Sequence, residues 1–294
     1  MMKPTQMINP FSFELTDAEI AEFQDGVAKI LRSGTLVLGE QTERFEQEFA
    51  RFIGSRYAVT VNSGSSALEF LLRIKEVAGK VVLVPTNTNF ATVASVLRAG
   101  GLVQYLDMDP KAFAPTLAMV ETAFSGRPNI AGVLWVHIGG LISPEFPSVV
   151  QFCRTRGAFV IEDAAHAHGS QLGGTKSGKL ADGAAFSFFP TKVMTTCEGG
   201  MITTDSEEEA AMARSYRNQG KRSMNYGGLH HDFGNSSRMT EMNALLGTIQ
   251  LRKLPAMLER RSRVAEAIAK ELDQADITYC SSAHMDRSSN YKFI

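Results

Sequence analysis

From about Gln41 to Thr204 the chain alternates short apolar runs with amphipathic stretches at helical spacing, and this alternation leaves little choice of architecture. Strand-length runs separated by helical segments build βαβ units, whose helices cover both faces of a mostly parallel sheet. The predicted strands are Ala58 to Asn62, Val81 to Pro85, Leu102 to Leu106, Gly132 to His137, Ala158 to Ile161, Gly183 to Phe188 and Gly200 to Thr203. Each is near the usual strand length of about five to six residues. The expected fold class is α/β, a mostly parallel central sheet flanked by helices.

The helices are legible beside them. Glu43, Phe45, Glu46, Phe49, Ala50 and Phe52 form one face at helical spacing, and Ser66 to Val77 gives another. Ser206 followed by Glu209 predicts a capping box for a helix through Tyr216. Lys221 to Asn235, rich in Gly, Asn, His and Ser, reads as a long loop of the kind that serves function or moves. Thr240 to Arg252 and Pro255 to Leu272 are predicted as two helices broken at Leu254-Pro255, because proline is excluded from a helix interior and welcome in a first turn. Ile277 to Ile294 has strand-like ends. The expected division is a large domain over 1–253, with an N-terminal helical segment, and the start of a smaller domain over 254–294.

Composition excludes several classes. A chain of 294 residues, 44% hydrophobic, has ample material for a large core. With 30 basic against 31 acidic side chains, neither a nucleic-acid surface nor a polybasic membrane patch is expected. Apolar runs such as Val81 to Val84 and Ala131 to Val136 are far short of the roughly 20 residues that span a bilayer. Met1 to Gln6 lacks an apolar signal core. Cys153, Cys197 and Cys280 are odd in number and widely separated, which predicts neither a disulfide framework nor a zinc cluster, and a cytoplasmic protein is expected.

Three segments carry chemistry. Val61 to Leu68 reads as a strand, a small-residue turn (Asn62-Ser63-Gly64-Ser65) and a helix start, where backbone N–H groups, hydroxyls and the helix dipole converge to hold a phosphate. On its own, the turn reads first as a helix start with Ser65 or Ser66 as a simple N-cap. Asp163 ends an apolar strand, at the edge where open α/β sheets bind ligands; alone it reads as a cap or an ion-pair partner. Lys192 lies just past Phe186-Ser187-Phe188-Phe189, and a lysine there either reaches solvent or is neutralised. Together, a carboxylate and an amine of this kind suit pyridoxal phosphate chemistry: the amine forms a Schiff base with the cofactor aldehyde, and the carboxylate keeps the ring nitrogen protonated.

Taken in order, these segments resemble the fold-type I pyridoxal phosphate enzymes, and within them the DegT and StrS type of sugar aminotransferase. The matching stretches are Ser33-Gly34 to Gly39 with Phe45-Glu46, Ser63 to Leu68, Pro85 to Thr92, Asp107 to Pro110, Val136 to Gly140, Glu162 to Gly169, Phe186 to Gly200 and Arg238-Met239. The resemblance implies that Lys192 is the Schiff-base lysine and that Asp163 is the partner of the ring nitrogen. It also implies that Ser187, Ser65 and the backbone of Ser66 bind the cofactor phosphate and that Phe90 stacks on the ring. His166 stands where the family commonly has glutamine, near the ring hydroxyl, so that a pH-dependent hydrogen bond is expected there.

Three departures accompany the resemblance. Cys197 stands in place of a glycine before Glu198-Gly199-Gly200 and is expected to be a small buried thiol. In Gly234-Asn235-Ser236-Ser237-Arg238, Ser236 takes the usual place of an asparagine that reaches the cofactor phosphate of a partner subunit, and Asn235 precedes it. The family also usually continues several tens of residues further. The implied activity is transfer of an amino group from glutamate to a keto-sugar, nucleotide-linked, by a homodimer with shared sites. A pyridoxal phosphate-dependent sugar dehydratase is one alternative, against which Lys192 counts; a non-catalytic cofactor-fold sensor or assembly partner is another. His230-His231-Asp232 is read as an exposed loop cluster, Arg260-Arg261-Ser262-Arg263 as a solvated helix face, and Trp135 with Phe186, Phe188 and Phe189 as core.

Overall fold

The computed structural model describes residues 12–126, 129–222 and 228–294. Two helices, α1 (Asp17–Ser33) and α2 (Glu40–Ile53), lead into the sheet. There follow β1 (Tyr57–Val61), α3 (Gly64–Ile74), β2 (Val81–Pro85), α4 (Phe90–Arg98), β3 (Leu102–Leu106), α5 (Leu117–Gly126), β4 (Ile130–Val136), α6 (Phe146–Thr155) and β5 (Phe159–Asp163). A two-stranded ribbon of β6 (Gln171–Leu172) and β7 (Thr175–Lys176) precedes β8 (Gly183–Ser187), β9 (Gly200–Thr204), α7 (Glu207–Arg217) and α8 (Glu241–Gln274). All seven predicted sheet strands are present.

The main sheet has the order β1-β9-β8-β5-β4-β2-β3. Pairing is parallel from β3 through β2, β4 and β5 to β8, whereas β9 is antiparallel to both β8 and β1. Six strands therefore share one direction and β9 alone opposes it. As a result β1, β5 and β8 end, and β9 begins, at the same edge. Register brings Val136, Asp163 and Ala185 level across three strands, and Ser187 level with Gly200.

Alternate strand residues feed opposite layers, as the two-residue side-chain period requires. Leu134 and Ile161 pack with Leu68, Leu71 and Ala213 from α3 and α7, while Val133, Trp135 and Val160 pack with Phe146 and Val149 of α6. Ala184 and Phe186 meet Phe45 and Phe49 of α2 and Leu251 and Leu254 of α8. Both faces of the sheet are thereby covered, which explains why its strands read as continuous apolar runs.

Three local expectations are corrected. The two helices predicted around Leu254-Pro255 are one, α8, with Pro255 inside it. Proline removes one N–H from the helix ladder, but Leu251, Leu254 and Leu258 are buried on the same side as α2, and that packing carries the helix through. The division expected at 253/254 falls within this helix. At α7, Ser206 caps the N–H of Glu209, yet the Glu209 carboxylate turns instead to Thr204 and Lys75, so half of the predicted box forms. Ser289 to Ile294 forms no strand; its groups bond to the Gly139 and His166 loops. The predicted 221–235 loop is irregular where described, and residues 223–227 lie outside the described residues.

One long-range contact joins the start of α2 to the start of α8. Gly39, the N-cap of α2, has no side chain to cap with, and a Cβ there would meet Thr35 Cγ2 at 2.7 Å and Glu241 Oε2 at 2.9 Å. The cap is supplied by the buried Glu241, whose carboxylate accepts from Gly39 N (2.9 Å), Gln41 N (2.7 Å), Thr42 N (3.0 Å) and the Thr42 hydroxyl. A negative charge at a helix N-terminus is also favoured by the dipole. Glu241→Ala leaves three buried or half-buried N–H groups unmatched and is expected to destabilise the protein by about 3 kcal/mol in urea unfolding.

Candidate active site

The turn after β1 is built by close approach. Ser63 is the N-cap of α3, with φ −163° and its Oγ accepting from Ser66 N at 3.1 Å. A Cβ on Gly64 would lie 2.8 Å from Ser187 Cβ, and one on Gly200 would lie 2.3 Å from Ser63 O. Glycine at both positions lets the first turn of α3 sit directly against the ends of β8 and β9. Ser63, Gly64, Ser65 and Ser187 accordingly line one cavity of about 260 Å³. Ser66 does not: its N–H is taken by Ser63 and its hydroxyl donates to Asn62 Oδ1 at 2.8 Å. The first-turn N–H groups of Gly64 and Ser65 have no intrahelical acceptor and, with these hydroxyls, form an anion cradle.

Asp163 lines the same cavity and is 6% exposed. Its Oδ2 accepts from Thr92 Oγ1 at 2.7 Å and its Oδ1 from Ala165 N at 3.2 Å. Two donors are few for a buried carboxylate, which has about four acceptor positions. Burial therefore pushes its pKa up, against the opposing pull of Thr92, the Ala165 N–H, Lys192 and His137. Thr88 Oγ1 donates in turn to Thr92 Oγ1 at 2.7 Å, which orients the threonine.

Lys192 lies on the turn after β8, fixed by its N–H to Phe189 O at 2.9 Å, and lines the cavity. Burial pushes its ammonium pKa down; Asp163 opposes that shift and Lys292 adds to it. His166 is on the wall too. Burial first, then Lys192 and Lys292, push its pKa down to about 3. The expected pH-dependent hydrogen bond is thus replaced by a ring that stays neutral across the physiological range. Its Nδ1 accepts from Gly139 N at 3.2 Å, so the neutral ring carries its proton on Nε2.

Other expected residues stand elsewhere. Phe90 is 80% exposed, between Asn89 and Ala91, which do line the cavity. Asn235 and Ser236 are exposed and outside the cavity, with Asn235 Oδ1 accepting from Ser236 N and Ser236 Oγ from Arg238. Cys197 is exposed rather than buried. It occupies a tight turn at φ +69°, closed by its N–H to Thr195 Oγ1, and that left-handed geometry explains why a glycine would suit the position. Phe189 is 45% exposed and lines the cavity, whereas Phe186, Phe188 and Trp135 are core. Arg261 is half-buried and donates to Asn290 O at 3.0 Å, so the arginine run is not wholly solvated.

Three residues at or beside the cavity escaped the sequence reading. Thr92 lay inside a recognised stretch without a role, and Glu198 lines the cavity beside Cys197. Tyr291 stacks on His166 with ring centroids 4.2 Å apart, and nothing in its local sequence signals this.

The chain matches the DegT/DnrJ/EryC1/StrS aminotransferase family over residues 17–294. It is 34% identical over 259 residues to the UDP-N-acetyl-3-dehydro-α-D-glucosamine 3-aminotransferase of Acidithiobacillus ferrooxidans, covering 87% of this chain and 68% of that enzyme. The crystal structure of the aminotransferase TlmJ of Streptoalloteichus hindustanus superposes with a TM-score of 0.87 at 28% identity, over 98% of this chain and 78% of that one. The PLP form of a Streptococcus pneumoniae protein assigned as a sugar aminotransferase gives a TM-score of 0.84 at 26% identity, over 95% of this chain and 75% of that one.

The half-satisfied carboxylate yields a test on the cofactor-free protein. Because the folded pKa of Asp163 is raised, its contribution to stability is full at low pH and falls as pH rises through that pKa. Asp163→Asn removes the buried charge and is expected to stabilise the cofactor-free protein at neutral pH by on the order of 1 kcal/mol. The gain should vanish toward acid pH when chemical unfolding is compared across pH.

Proposed function

The chain belongs to the DegT/DnrJ/EryC1/StrS aminotransferase family, and on that premise we propose that it moves an amino group from glutamate to a nucleotide-linked keto-sugar with pyridoxal phosphate as cofactor. The observation that carries this reading is the meeting of Lys192, Asp163 and the Ser63-Gly64-Ser65 turn on one cavity. The residues present fit the cofactor. Asp163 is a buried carboxylate with unused acceptor capacity, suited to a cationic ring N–H, and the glycine-enabled cradle of Ser63, Gly64, Ser65 and Ser187 suits a phosphate.

Pyridoxal phosphate supplies an aldehyde that exchanges between primary amines and a protonated ring that withdraws electrons from the carbon bearing the amine. The side chains supply the rest. Lys192 is the amine placed to attach the cofactor at rest. Its Nζ would also be the base that takes up and returns a proton beside the bound cofactor, and burial favours the neutral amine that this task needs. Asp163 would keep the ring nitrogen protonated, and Thr92 and Ala165 hold its carboxylate in place. His166, as a neutral Nε2–H donor, would serve the ring hydroxyl. Ser65, joined by Ser63, Gly64 and Ser187, would hold the phosphate, and Phe90, exposed in this structure, would cover the ring face only after turning inward.

The sugar, and its nucleotide, are proposed from the name of the Acidithiobacillus ferrooxidans relative, which acts on a UDP-linked 3-dehydro sugar. A homodimer is part of the same reading: Asn235 and Ser236 are exposed and away from their own cavity, as residues that complete a partner subunit's site must be. The lysine on the cavity wall supports transamination over dehydration.

Addition of pyridoxal phosphate is expected to give a yellow protein whose visible absorbance glutamate discharges. Lys192→Ala should bind cofactor yet lose at least about a thousandfold in turnover, as loss of a positioned base that also carries the cofactor requires. Absence of colour, or a fully active Lys192→Ala protein, is the result that would defeat the reading.

A further inference from the structure

We propose that Tyr291 is a positioning residue of this active site, a ring platform that fixes the orientation and tautomer of His166 and, through its hydroxyl, steadies the turn that carries Lys192. The inference rests on the aminotransferase reading for its catalytic consequence, though not for its geometry.

Tyr291 lies in the 277–294 segment, far in sequence from the rest of the site. Its ring stacks on the His166 imidazole at 4.2 Å between centroids and 28° between planes. Lys192 Nζ stands 5.1 Å from the same ring's centroid, within cation–π range. Its hydroxyl is 3.2 Å from the hydroxyl of Thr191, the residue before the lysine. One side chain thus touches both groups assigned to proton handling and the turn that holds one of them.

The platform is itself clamped. Ser289 Oγ donates to His166 O at 2.5 Å, Lys292 N to Gly139 O at 3.2 Å, and Arg261 Nη1 to Asn290 O at 3.0 Å. Gly140, at φ +95°, leaves room for this approach, since a Cβ there would fall 2.0 Å from Ser289 Oγ. Gly139 N donates to His166 Nδ1 from the loop after β4, the strand next to β5. The imidazole is therefore held at an edge by Gly139 and on a face by Tyr291, which leaves Nε2–H as its free donor.

The charged and titratable groups that bear on this pair are Lys192 and Lys292, which both disfavour a protonated imidazole, His168 two residues along the chain, Arg261, which interacts with Tyr291, and Asp163, which favours the Lys192 ammonium. Glu198 lines the same cavity. The tyrosine ring excludes water from the one face of His166 that it covers. Without that cover the imidazole is more open to hydration, which moves its pKa up toward the ordinary value of about 6.5 while Lys192 and Lys292 still oppose protonation.

The test is histidine-ring NMR on the cofactor-free protein between pH 5 and 8, with the His166 signal assigned by its loss in His166→Gln. In the unmodified chain that signal is expected not to titrate. In Tyr291→Leu, and in Tyr291→Met as a variant closer in volume, it should titrate, and kcat should fall by about tenfold with a smaller change in KM for the amino donor. Tyr291→Phe keeps the platform, so its His166 should remain silent and its kcat should stay within about fivefold. A His166 signal unmoved in folded Tyr291→Leu or Tyr291→Met overturns the proposal, as does a Phe variant as impaired as the Leu variant. The NMR arm needs neither cofactor nor substrate. Failure of the aminotransferase reading would show separately, as an unmodified protein that glutamate does not discharge.

Discussion

Two carboxylates stand side by side at the end of β5, and the structure depends on their being treated oppositely. Strand geometry sends Glu162 and Asp163 to opposite faces of the sheet. Glu162 is fully buried and saturated: it accepts from His137 Nε2 (2.9 Å), Ser177 Oγ (3.1 Å), Gly178 N (3.0 Å), Leu180 N (2.9 Å) and Ala181 N (3.2 Å). This network ties the 177–181 segment between the ribbon and β8 to the sheet and fixes where β8 begins. Asp163, one residue on, has two donors and an open side. A buried charge that is fully hydrogen-bonded holds structure together, and one that is left partly unmatched is a demand for a ligand.

The convergence of the site follows from strand direction. Because β9 alone runs against the others, the end of β1, the end of β8 and the start of β9 meet at the edge where β5 ends. The anion cradle and the lysine turn thus arrive beside Asp163 without any long excursion of the chain. Gly64 and Gly200 let the three segments close to van der Waals contact. Electrostatics then does the rest: the same burial that raises the Asp163 pKa lowers those of Lys192 and His166, so each group is biased toward its neutral form until a charged partner enters.

Much of this was legible in sequence because it is local. The apolar run Val81–Pro85 is placed to the residue, since a strand buried on both faces leaves a continuous signature, and Leu102–Leu106, a half-exposed edge strand, is marked by its length and its place in the alternation. Asp163, Lys192, Ser187 and Ser65 were found because strand ends and small-residue turns mark them, and His166 because of its place in the resemblance. What failed was decided by contacts between distant segments. Pro255 stays within a helix because α2 packs beside it, Ser66 yields its N–H to Ser63, and Cys197 is turned outward by a tight loop. Tyr291 carried no local mark because its meaning lies entirely in the His166 ring it faces.

The Glu241 cap has a temporal side. The first turn of α2 borrows its acceptor from a residue about two hundred positions later, so during synthesis that helix emerges long before its N-terminus can be satisfied. Until Glu241 leaves the ribosome, the apolar face of α2 has neither its cap nor the α8 side chains that cover it. Such non-local closure costs loop entropy before any contact repays it. The β2, β3, β4 and β5 part of the sheet forms from nearer neighbours, whereas α2, like the β1 edge that waits for β9, closes late on the nascent chain and leaves apolar surface uncovered until then.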